Sequence, residues 1–239
     1  MGSRRLRPMT TTDISALPGP CATCTFWEAS LSDLAAPVDH RDRVVAKAEW
    51  AEVVTRHWGY CGVVATQDNE IVGYLTMAPA MYVPRLGAFA TTPVGPDAAV
   101  LMSGQVIPEH RGRGIGRQLV QAAAGLVARR DIRALEAVGT YHEGPSCMLP
   151  VPWLETVGFA VVRAHPSTPR LRMDLQTTVR WRPDLGAAWQ RLTGLVAQPA
   201  PPEPAAYLAS QGGPSAGPGP RPVRFAGIPA DPAPGQPRR

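Results

Sequence analysis

The sequence has little of several features that mark particular classes of protein. Only four cysteines occur among 239 residues, too few for a disulfide-stapled scaffold, so reduced thiols are expected. No stretch approaches the roughly 20 apolar residues that span a bilayer, and the N-terminal MGSRRLRPM lacks the apolar segment of a signal peptide. These absences argue against a membrane protein or a secreted disulfide-rich protein and predict a cytoplasmic one.

Charged residues are also scarce, at 18% of the chain, and the formal net charge is only +5. The arginines are spread along the sequence, without the polybasic run that follows a nucleic-acid backbone. A modest positive balance of this kind is typical of an ordinary solvated surface. The composition therefore disfavours nucleic-acid binding as the function.

Proline and glycine, in contrast, are abundant, with 27 and 23 residues, and they are concentrated at the C-terminal end. Residues 198–239 combine many prolines with few apolar residues, which predicts a disordered tail. Just before them, Leu185, Trp189 and Leu192 recur at helical spacing, so a helix over 181–197 is expected to pack on or next to the preceding domain. That domain is expected to occupy residues 1–180.

Apolar periodicity and turn residues in 1–180 predict a mixed α/β domain. The predicted order of elements is strand, two helices, three strands, helix, strand, helix and a closing hairpin. The predicted strands are 5–9, 61–66, 71–77, 98–107, 133–138, 159–163 and 171–175. The predicted helices are 24–35, 39–59, 114–130 and 152–157.

The most informative segment joins the strand ending near Ile107 to the following helix. Its sequence is Arg111-Gly112-Arg113-Gly114-Ile115-Gly116, with three glycines at alternating positions. The glycines leave backbone amides uncovered where a helix N-terminus already offers unpaired donors and partial positive charge. This pattern predicts a pyrophosphate-binding loop. A dinucleotide fingerprint would need glycine at Arg117, and a P-loop would need Lys followed by Ser or Thr, so both are excluded.

This segment resembles the signature of the GNAT N-acetyltransferase superfamily, in which Gln or Arg, two residues, Gly, one residue, and Gly or Ala follow in that order. The preceding strand, the amphipathic helix and the Gly158-Phe159 pair before the last hairpin resemble the family too. The resemblance implies a GNAT fold, a mixed and mostly antiparallel sheet flanked by helices. It also implies an enzyme that transfers an acetyl group from acetyl-CoA to an amine.

The resemblance also implies which residues bind the acyl donor. Amides of the segment from Arg111 through Gly112, Arg113, Gly114, Ile115 and Gly116 to Arg117 would bind the pyrophosphate of acetyl-CoA. The exposed backbone of Val106 and Ile107 would pair with the pantetheine arm. The side chains of Arg113 and Arg117 would add charge-assisted contacts, or would be solvated helix surface.

The expected catalytic residues depart from the family pattern. Leu154 stands where members commonly have a tyrosine as general acid, and Cys147 stands where they often have an asparagine. Cys147 could donate weakly to the departing sulfur, or could be a core thiol. Glu136, in an apolar strand, could be a base with a raised pKa or a partnered carboxylate. His142, which titrates near neutrality unless perturbed, is the third catalytic candidate, with solvent-exposed loop residue as the alternative.

Two further alternatives stay open at this stage. Cys21 and Cys24 form a CxxC, which suits redox chemistry or metal binding, but zinc would need two more ligands, so the default is a structural role without metal. The missing tyrosine would also fit an acyl-CoA-binding regulatory module without efficient catalysis. The acceptor is expected to be a small-molecule or protein amine, and the chain could be a monomer or a homodimer.

Overall fold

The computed structural model describes residues 4–30, 40–144 and 146–175, and for Cys21, Ala22 and His40 it describes the backbone alone. The helix predicted over 181–197 and the tail predicted over 198–239 lie outside the described residues. The described residues form a sheet of eight strands with helices packed against it.

The strands and helices lie close to the positions that the periodicity predicts. The strands are β1 (Arg5–Pro8), β2 (Gly62–Gln67), β3 (Glu70–Pro79), β4 (Ala98–Val106), β5 (Ala134–Thr140), β6 (Leu149–Pro150), β7 (Ala160–Arg163) and β8 (Arg170–Asp174). The α-helices are α1 (His40–Trp58), α2 (Ile115–Val127) and α3 (Val151–Thr156). Short 3-10 turns lie between them, including three residues that extend α2 to Arg130.

The strand pairing combines a large antiparallel part with two parallel contacts, between β4 and β5 and between β5 and β6. The order across the sheet is β1-β2-β3-β4-β5-β8-β7, and β6 pairs separately with β5. All neighbours along this order are antiparallel except β4 and β5. Together with the flanking helices, this sheet confirms the predicted fold class.

The β2–β3 hairpin shows how local sequence sets the register. Asp68 and Asn69 both have positive φ angles, 53° and 66°, and Gln67 faces Glu70 across the turn. Asp and Asn tolerate this conformation better than most residues, and a two-residue turn of this type matches the twist of paired strands. The Asp68–Asn69 turn therefore sets the register between β2 and β3.

Two hydrophobic cores lie on opposite faces of the sheet. Helix α2 buries Ile115, Leu119 and Leu126 in one core, against β-strand residues such as Leu135. Helix α1 contributes Trp50 and Val54 to the other core. Each fully buried Leu or Ile side chain contributes about 1.5–3 kcal/mol relative to an exposed one. The sheet is therefore packed by a hydrophobic core on each face.

One local prediction requires correction, and one short strand was not predicted. The helix predicted over 24–35 is absent from its described part, since residues 24–30 form turns. There the side chains bond to distant residues, Trp27 to the carbonyl of Cys147 and Glu28 to Lys47, and these tertiary contacts outweigh local propensity. The short strand β6 was not predicted because two residues carry no periodic signal.

Candidate active site

A cleft of about 1180 Å³ opens where β4 and β5 separate. The two strands are paired in parallel only from Ala98–Val100 to Ala134–Glu136, and they diverge beyond these residues. The cleft is lined by the end of β4, the glycine loop (Arg111–Gly116), the segment after β5 and helix α3. The separation of two neighbouring strands thus creates this cleft.

One edge of β4 faces this cleft without a strand partner. On its other edge β4 pairs with β3, where Val106 faces Gly73 and Gln105 faces Tyr74. Among the described strands, none pairs with β4 on the cleft side beyond Val100. Unpaired strand edges bind extended ligands through main-chain hydrogen bonds. This edge therefore fits an extended, amide-containing molecule.

Val106 and Ile107 are both expected to contact the pantetheine arm, but they have different environments in the structure. Val106 lines the cleft, although its carbonyl accepts a hydrogen bond from Nε of Arg111 at 3.0 Å. The amide of Ile107 donates to the carbonyl of Val72 at 3.1 Å, and its carbonyl accepts from His110 at 3.0 Å. Because both backbone groups of Ile107 have partners, the predicted pantetheine contact at Ile107 is not supported by this geometry.

The glycine loop has the conformation that its glycines permit. Gly112 and Gly114 have φ angles of +72° and +74°, and a Cβ added at either would meet no atom within 4 Å. Gly114 is the N-cap of α2, and the first intrahelical bond runs from the amide of Gln118 to the carbonyl of Gly114 at 3.1 Å. The amides of residues 115–117 precede that bond and lack helical partners. Open space and amides without helical partners are the features by which helix N-termini accommodate anions.

Neighbouring side chains fix the glycine loop against α3. A Cβ at Gly116 would lie 3.0 Å from the ring of Trp153, so glycine lets the two helices approach closely. Arg117 donates to the carbonyl of Thr156 at 2.6 Å, near the end of α3. Arg113 is exposed and is not among the residues that line the cleft, whereas Arg111 and Arg117 are.

Two of the three predicted catalytic residues line the cleft. Cys147 is half-buried and His142 is exposed, both in the segment that follows β5. The amide of His142 donates to Oγ1 of Thr140 at 3.0 Å, which fixes the backbone as it leaves the strand. Leu154 is fully buried in the core beneath α3. The position of the family tyrosine is therefore a packing position in this chain.

Glu136 does not line the cleft. Its carboxylate is buried, forms an ion pair with Arg170, and accepts a hydrogen bond from Arg172 at 3.0 Å. It lies in the paired stretch of β5, opposite Val100, at the closed end of the strand separation. The catalytic role predicted for Glu136 is not supported by this geometry, because the carboxylate is neutralised by two guanidinium groups.

No carboxylate is found among the described residues that line the cleft. The polar lining on β4 consists of Ser103 and Gln105. The hydroxyl of Ser103 lies 2.9 Å from that of Thr76, and the Ser103 amide donates to the same Thr76 oxygen at 3.1 Å. These neutral groups can orient water or a polar substrate, but they cannot accept a proton as a carboxylate does.

In the structure Cys147 contacts Cys24, a residue that the CxxC pattern groups with Cys21. Sγ of Cys24 lies 3.1 Å from Sγ of Cys147. This hydrogen bond is the main cause that lowers the pKa of Cys24 to about 6, against the effect of burial and with help from the Phe26 amide and Lys47. The CxxC pattern pointed to Cys21 as the partner, and the thiol of Cys21 lies outside the described residues. The spacing of cysteines in the sequence does not predict a contact between residues 123 positions apart.

Two absences among the described residues concern other classes of protein. No helix in the part of the chain that the structure describes is long and apolar enough to cross a membrane. Within residues 4–30, 40–144 and 146–175, no group of three or more His, Cys, Asp or Glu side chains gathers as a metal site.

Comparison with known proteins shows the family. The model of the family described as "Acetyltransferase (GNAT) family" matches residues 25–146, about half of the chain. No curated protein matches the sequence.

Solved structures of similar proteins are distant in sequence. The PaiA N-acetyltransferase from Thermoplasma acidophilum, in complex with coenzyme A, is 13% identical with a TM-score of 0.47, and the match covers 72% of this chain and 99% of that one. An N-acetyltransferase from Staphylococcus aureus Mu50 is 16% identical with a TM-score of 0.47 and the same coverage. The ribosomal-protein-S18-alanine N-acetyltransferase from Escherichia coli is 14% identical with a TM-score of 0.42, covering 72% of this chain and 94% of that one.

The separated strands and the glycine loop at a helix N-terminus fit the class of protein that binds an extended, amide-containing ligand with an anionic group. More particularly, the chain belongs to the GNAT acetyltransferase family. This membership confirms the predicted enzyme class, an N-acetyltransferase with acetyl-CoA as the acyl donor.

Proposed function

We propose that this acetyltransferase acetylates the neutral amine of its acceptor by direct attack on the donor thioester, within the cleft between β4 and β5. The observation that carries the proposal is the convergence of three features on one cleft. These are the unpaired edge of β4, the open amides at the N-terminus of α2, and the segment carrying His142 and Cys147.

The donor-binding residues follow from which backbone groups remain open. The amides of the glycine loop and the first turn of α2 would hold the pyrophosphate, and Arg111 and Arg117 at the cleft wall would add charge. Arg113, which is exposed outside the cleft, would contribute its amide only. The amide of Val106, whose carbonyl already accepts from Arg111, and the backbone of the preceding β4 residues would pair with the pantetheine arm. Acetyl-CoA supplies the activated acetyl thioester.

The reaction needs two proton movements. The amine nitrogen forms a bond to the thioester carbonyl carbon, the carbon–sulfur bond breaks, and the amine loses one proton while the departing sulfur requires one. Because no carboxylate is found among the described lining residues, we assign the first proton to His142 or to water held by Ser103 and Gln105. We assign the second movement to the thiol of Cys147.

The acceptor class, location and assembly remain proposals. The cleft admits either a small-molecule amine or an amine on a protein surface, and we keep both as acceptor classes. We propose a cytoplasmic location, which rests on the low cysteine content, and a homodimer as the alternative to a monomer.

A thiol-release assay with acetyl-CoA and a panel of amines tests the function. Release of coenzyme A in proportion to acetylated product, with a linear start and no burst in the absence of acceptor, is expected for direct attack. A burst without acceptor would indicate an acetylated enzyme instead. Binding of acetyl-CoA without turnover on any amine would favour a regulatory module, the alternative raised by the missing tyrosine at Leu154.

A further inference from the structure

Two thiols from distant parts of the chain meet at the wall of the cleft. Sγ of Cys24 and Sγ of Cys147 lie 3.1 Å apart, although the residues are 123 positions apart in sequence. Both side chains are half-buried, and Cys147 lines the cleft. A disulfide bond is about 2.05 Å long, so an approach of about 1 Å would bring the two sulfurs into bonding distance.

The backbone around each thiol is held by a hydrogen bond from a buried side chain. The indole Nε1 of Trp27 donates to the carbonyl of Cys147 at 2.8 Å. Nζ of Lys47 donates to the carbonyl of Cys24 at 2.7 Å and also to Oε1 of Glu28 at 2.7 Å. Trp27, Lys47 and Glu28 are all buried. The proximity of the two thiols is therefore built into the core of the fold.

The surroundings favour ionisation of one member of the pair. The hydrogen bond with Cys147 lowers the pKa of Cys24 to about 6, and the Lys47 cation acts in the same direction, while burial and the Glu28 carboxylate oppose it. A thiolate is the form that reacts with oxidants. Cys24 is thus suited to react first and Cys147 to resolve the product.

We propose that Cys24 and Cys147 form a reversible oxidation site, in which a peroxide converts the two thiols into a disulfide across the cleft wall. In the first step the Cys24 thiolate attacks one peroxide oxygen, the O–O bond breaks, and with proton uptake Cys24 becomes a sulfenic acid while one water leaves. In the second step the sulfur of Cys147 attacks the Cys24 sulfur, the S–O bond breaks, and the hydroxyl leaves with the Cys147 proton as water. Overall two thiols lose two hydrogens and two electrons, and hydrogen peroxide is reduced to two waters.

The disulfide would change the cleft without touching the glycine loop. It would remove the Cys147 thiol to which we assign protonation of the departing sulfur, while the amides at the N-terminus of α2 would stay open. This consequence for turnover rests on the proposed function. The oxidation itself does not, because it is read from mass rather than from activity.

The test uses the full chain, reduced and then treated with hydrogen peroxide, blocked with an alkylating agent and digested for mass spectrometry. The expected product is a peptide pair linking Cys24 to Cys147, with the loss of two hydrogens, which dithiothreitol restores. Cys21→Ser is the matched control and should retain this linked pair, whereas Cys24→Ser and Cys147→Ser should each abolish it. A Cys21–Cys24 linkage, or oxidation that yields no linked pair, would overturn the proposal.

Melting of the oxidised and reduced forms supplies a second readout. A cross-link that closes a loop of this length restricts the unfolded chain, so the Tm of the oxidised protein should rise by about 5 °C or more if the native geometry accepts the bond. A lower Tm after oxidation would show that the fold must distort to form the disulfide. That result would contradict the proposal that the fold holds Cys24 and Cys147 in position to form it.

Discussion

At the scale of single residues, the buried carboxylate of Glu136 is neutralised from two sides. Arg170 and Arg172 pair with its two oxygens, and Arg172 also pairs with Asp97 at 2.9 Å and Asp174 at 2.8 Å. The hydrogen bond that Arg172 donates to Asp97, aided by those it donates to Glu136 and Asp174, raises the pKa of Arg172 above its ordinary value against the effect of burial. A buried charge is tolerated only when such partners compensate its lost hydration.

We therefore expect Glu136→Gln to reduce stability rather than catalysis. The substitution removes the carboxylate that pairs with Arg170, while Arg172 keeps Asp97 and Asp174. Breaking a fully buried pair costs about 3–5 kcal/mol, so with one arginine still compensated the free energy of unfolding should fall by about 2–4 kcal/mol. Turnover of the folded variant should stay within about threefold of wild type, since general-base loss costs about 100-fold or more. Urea titration and steady-state rates check both values, and Glu70→Gln, at an exposed position outside the cleft lining, is the control. A 100-fold loss of turnover with unchanged stability would restore the base assignment.

The buried carboxylate of Asp13 pairs with Arg7 of the N-terminal strand β1, and this pair should make the stability of the fold depend on acid pH. The carboxylate accepts hydrogen bonds from Arg7 at 2.6 and 2.7 Å and from the Thr10 amide at 2.7 Å. Burial alone would raise the pKa of Asp13, but the bonds from Arg7 and Thr10 outweigh it and lower the pKa from 3.8 to about 2.

Stability should consequently decline in acid through this residue. Because the folded-state pKa lies below the unfolded one, the unfolded chain takes up the proton first as the pH falls. The contribution of Asp13 is therefore complete above about pH 4 and is lost as the pH falls towards 2. Asp13→Asn should be less stable at neutral pH and should lose less stability across that window. Urea midpoints measured from pH 6 to pH 2 provide the check, and parallel curves for both proteins would refute the assignment.

At the scale of elements, the strand–loop–helix unit from β4 to α2 is the most sequence-specified part of the site. The positive φ of Gly112 and Gly114 and the close contact between Gly116 and Trp153 each require glycine. These requirements are visible in the sequence, and for this reason the turn at the start of α2 could be predicted from the residues alone. The location of Cys147 on the cleft could be inferred too, from its place before Gly158.

Other features of the site depend on contacts between distant residues, which no local sequence pattern indicates. The apolar neighbours of Glu136 indicate burial, but nothing in its strand reveals that Arg170 and Arg172 lie opposite. Cys24 pairs with Cys147 across most of the domain, whereas the local CxxC suggests a neighbour three residues away. A sequence pattern within one strand or helix predicts that element, whereas contacts between distant elements can be identified only in the structure.

The glycine loop gives the clearest test of donor binding. In Gly114→Ala the new Cβ would project into open space where we propose that the pyrophosphate lies, and the φ of +74° would strain any other residue. The Kd for acetyl-CoA, measured by calorimetry, should rise by about tenfold or more, equivalent to about 1.4 kcal/mol.

Gly87→Ala is the matched control for this variant. Gly87 also has no atom within 4 Å of an added Cβ, and its φ lies outside the left-handed region. Its affinity for acetyl-CoA should equal that of wild type. Equal affinities for all three proteins would remove the pyrophosphate from the glycine loop.

At the scale of the whole molecule, the C-terminal residues can be tested by nested truncation. Deletion from Gln198 onward removes only the segment whose composition predicts disorder, so Tm and acetyl-CoA affinity should be unchanged. Deletion from Trp181 onward also removes the predicted helix over 181–197, and Tm should fall by several degrees if that helix packs on the domain. Thermal melting and calorimetry of both truncations decide the boundary. A loss of stability already at the first truncation would show that the tail docks.

The sheet itself is joined at one narrow place. Only three residue pairs, from Ala98–Val100 to Ala134–Glu136, hydrogen-bond β4 to β5 and so connect the two halves. A donor lying along the free edge of β4 would extend that connection, so its binding free energy would be coupled to the cohesion of the sheet. At a concentration 100 times its Kd, such a ligand stabilises the fold by about 2.7 kcal/mol. Amide hydrogen exchange should then slow at alternate residues of Leu101–Val106, where the substrate takes the position of a missing strand.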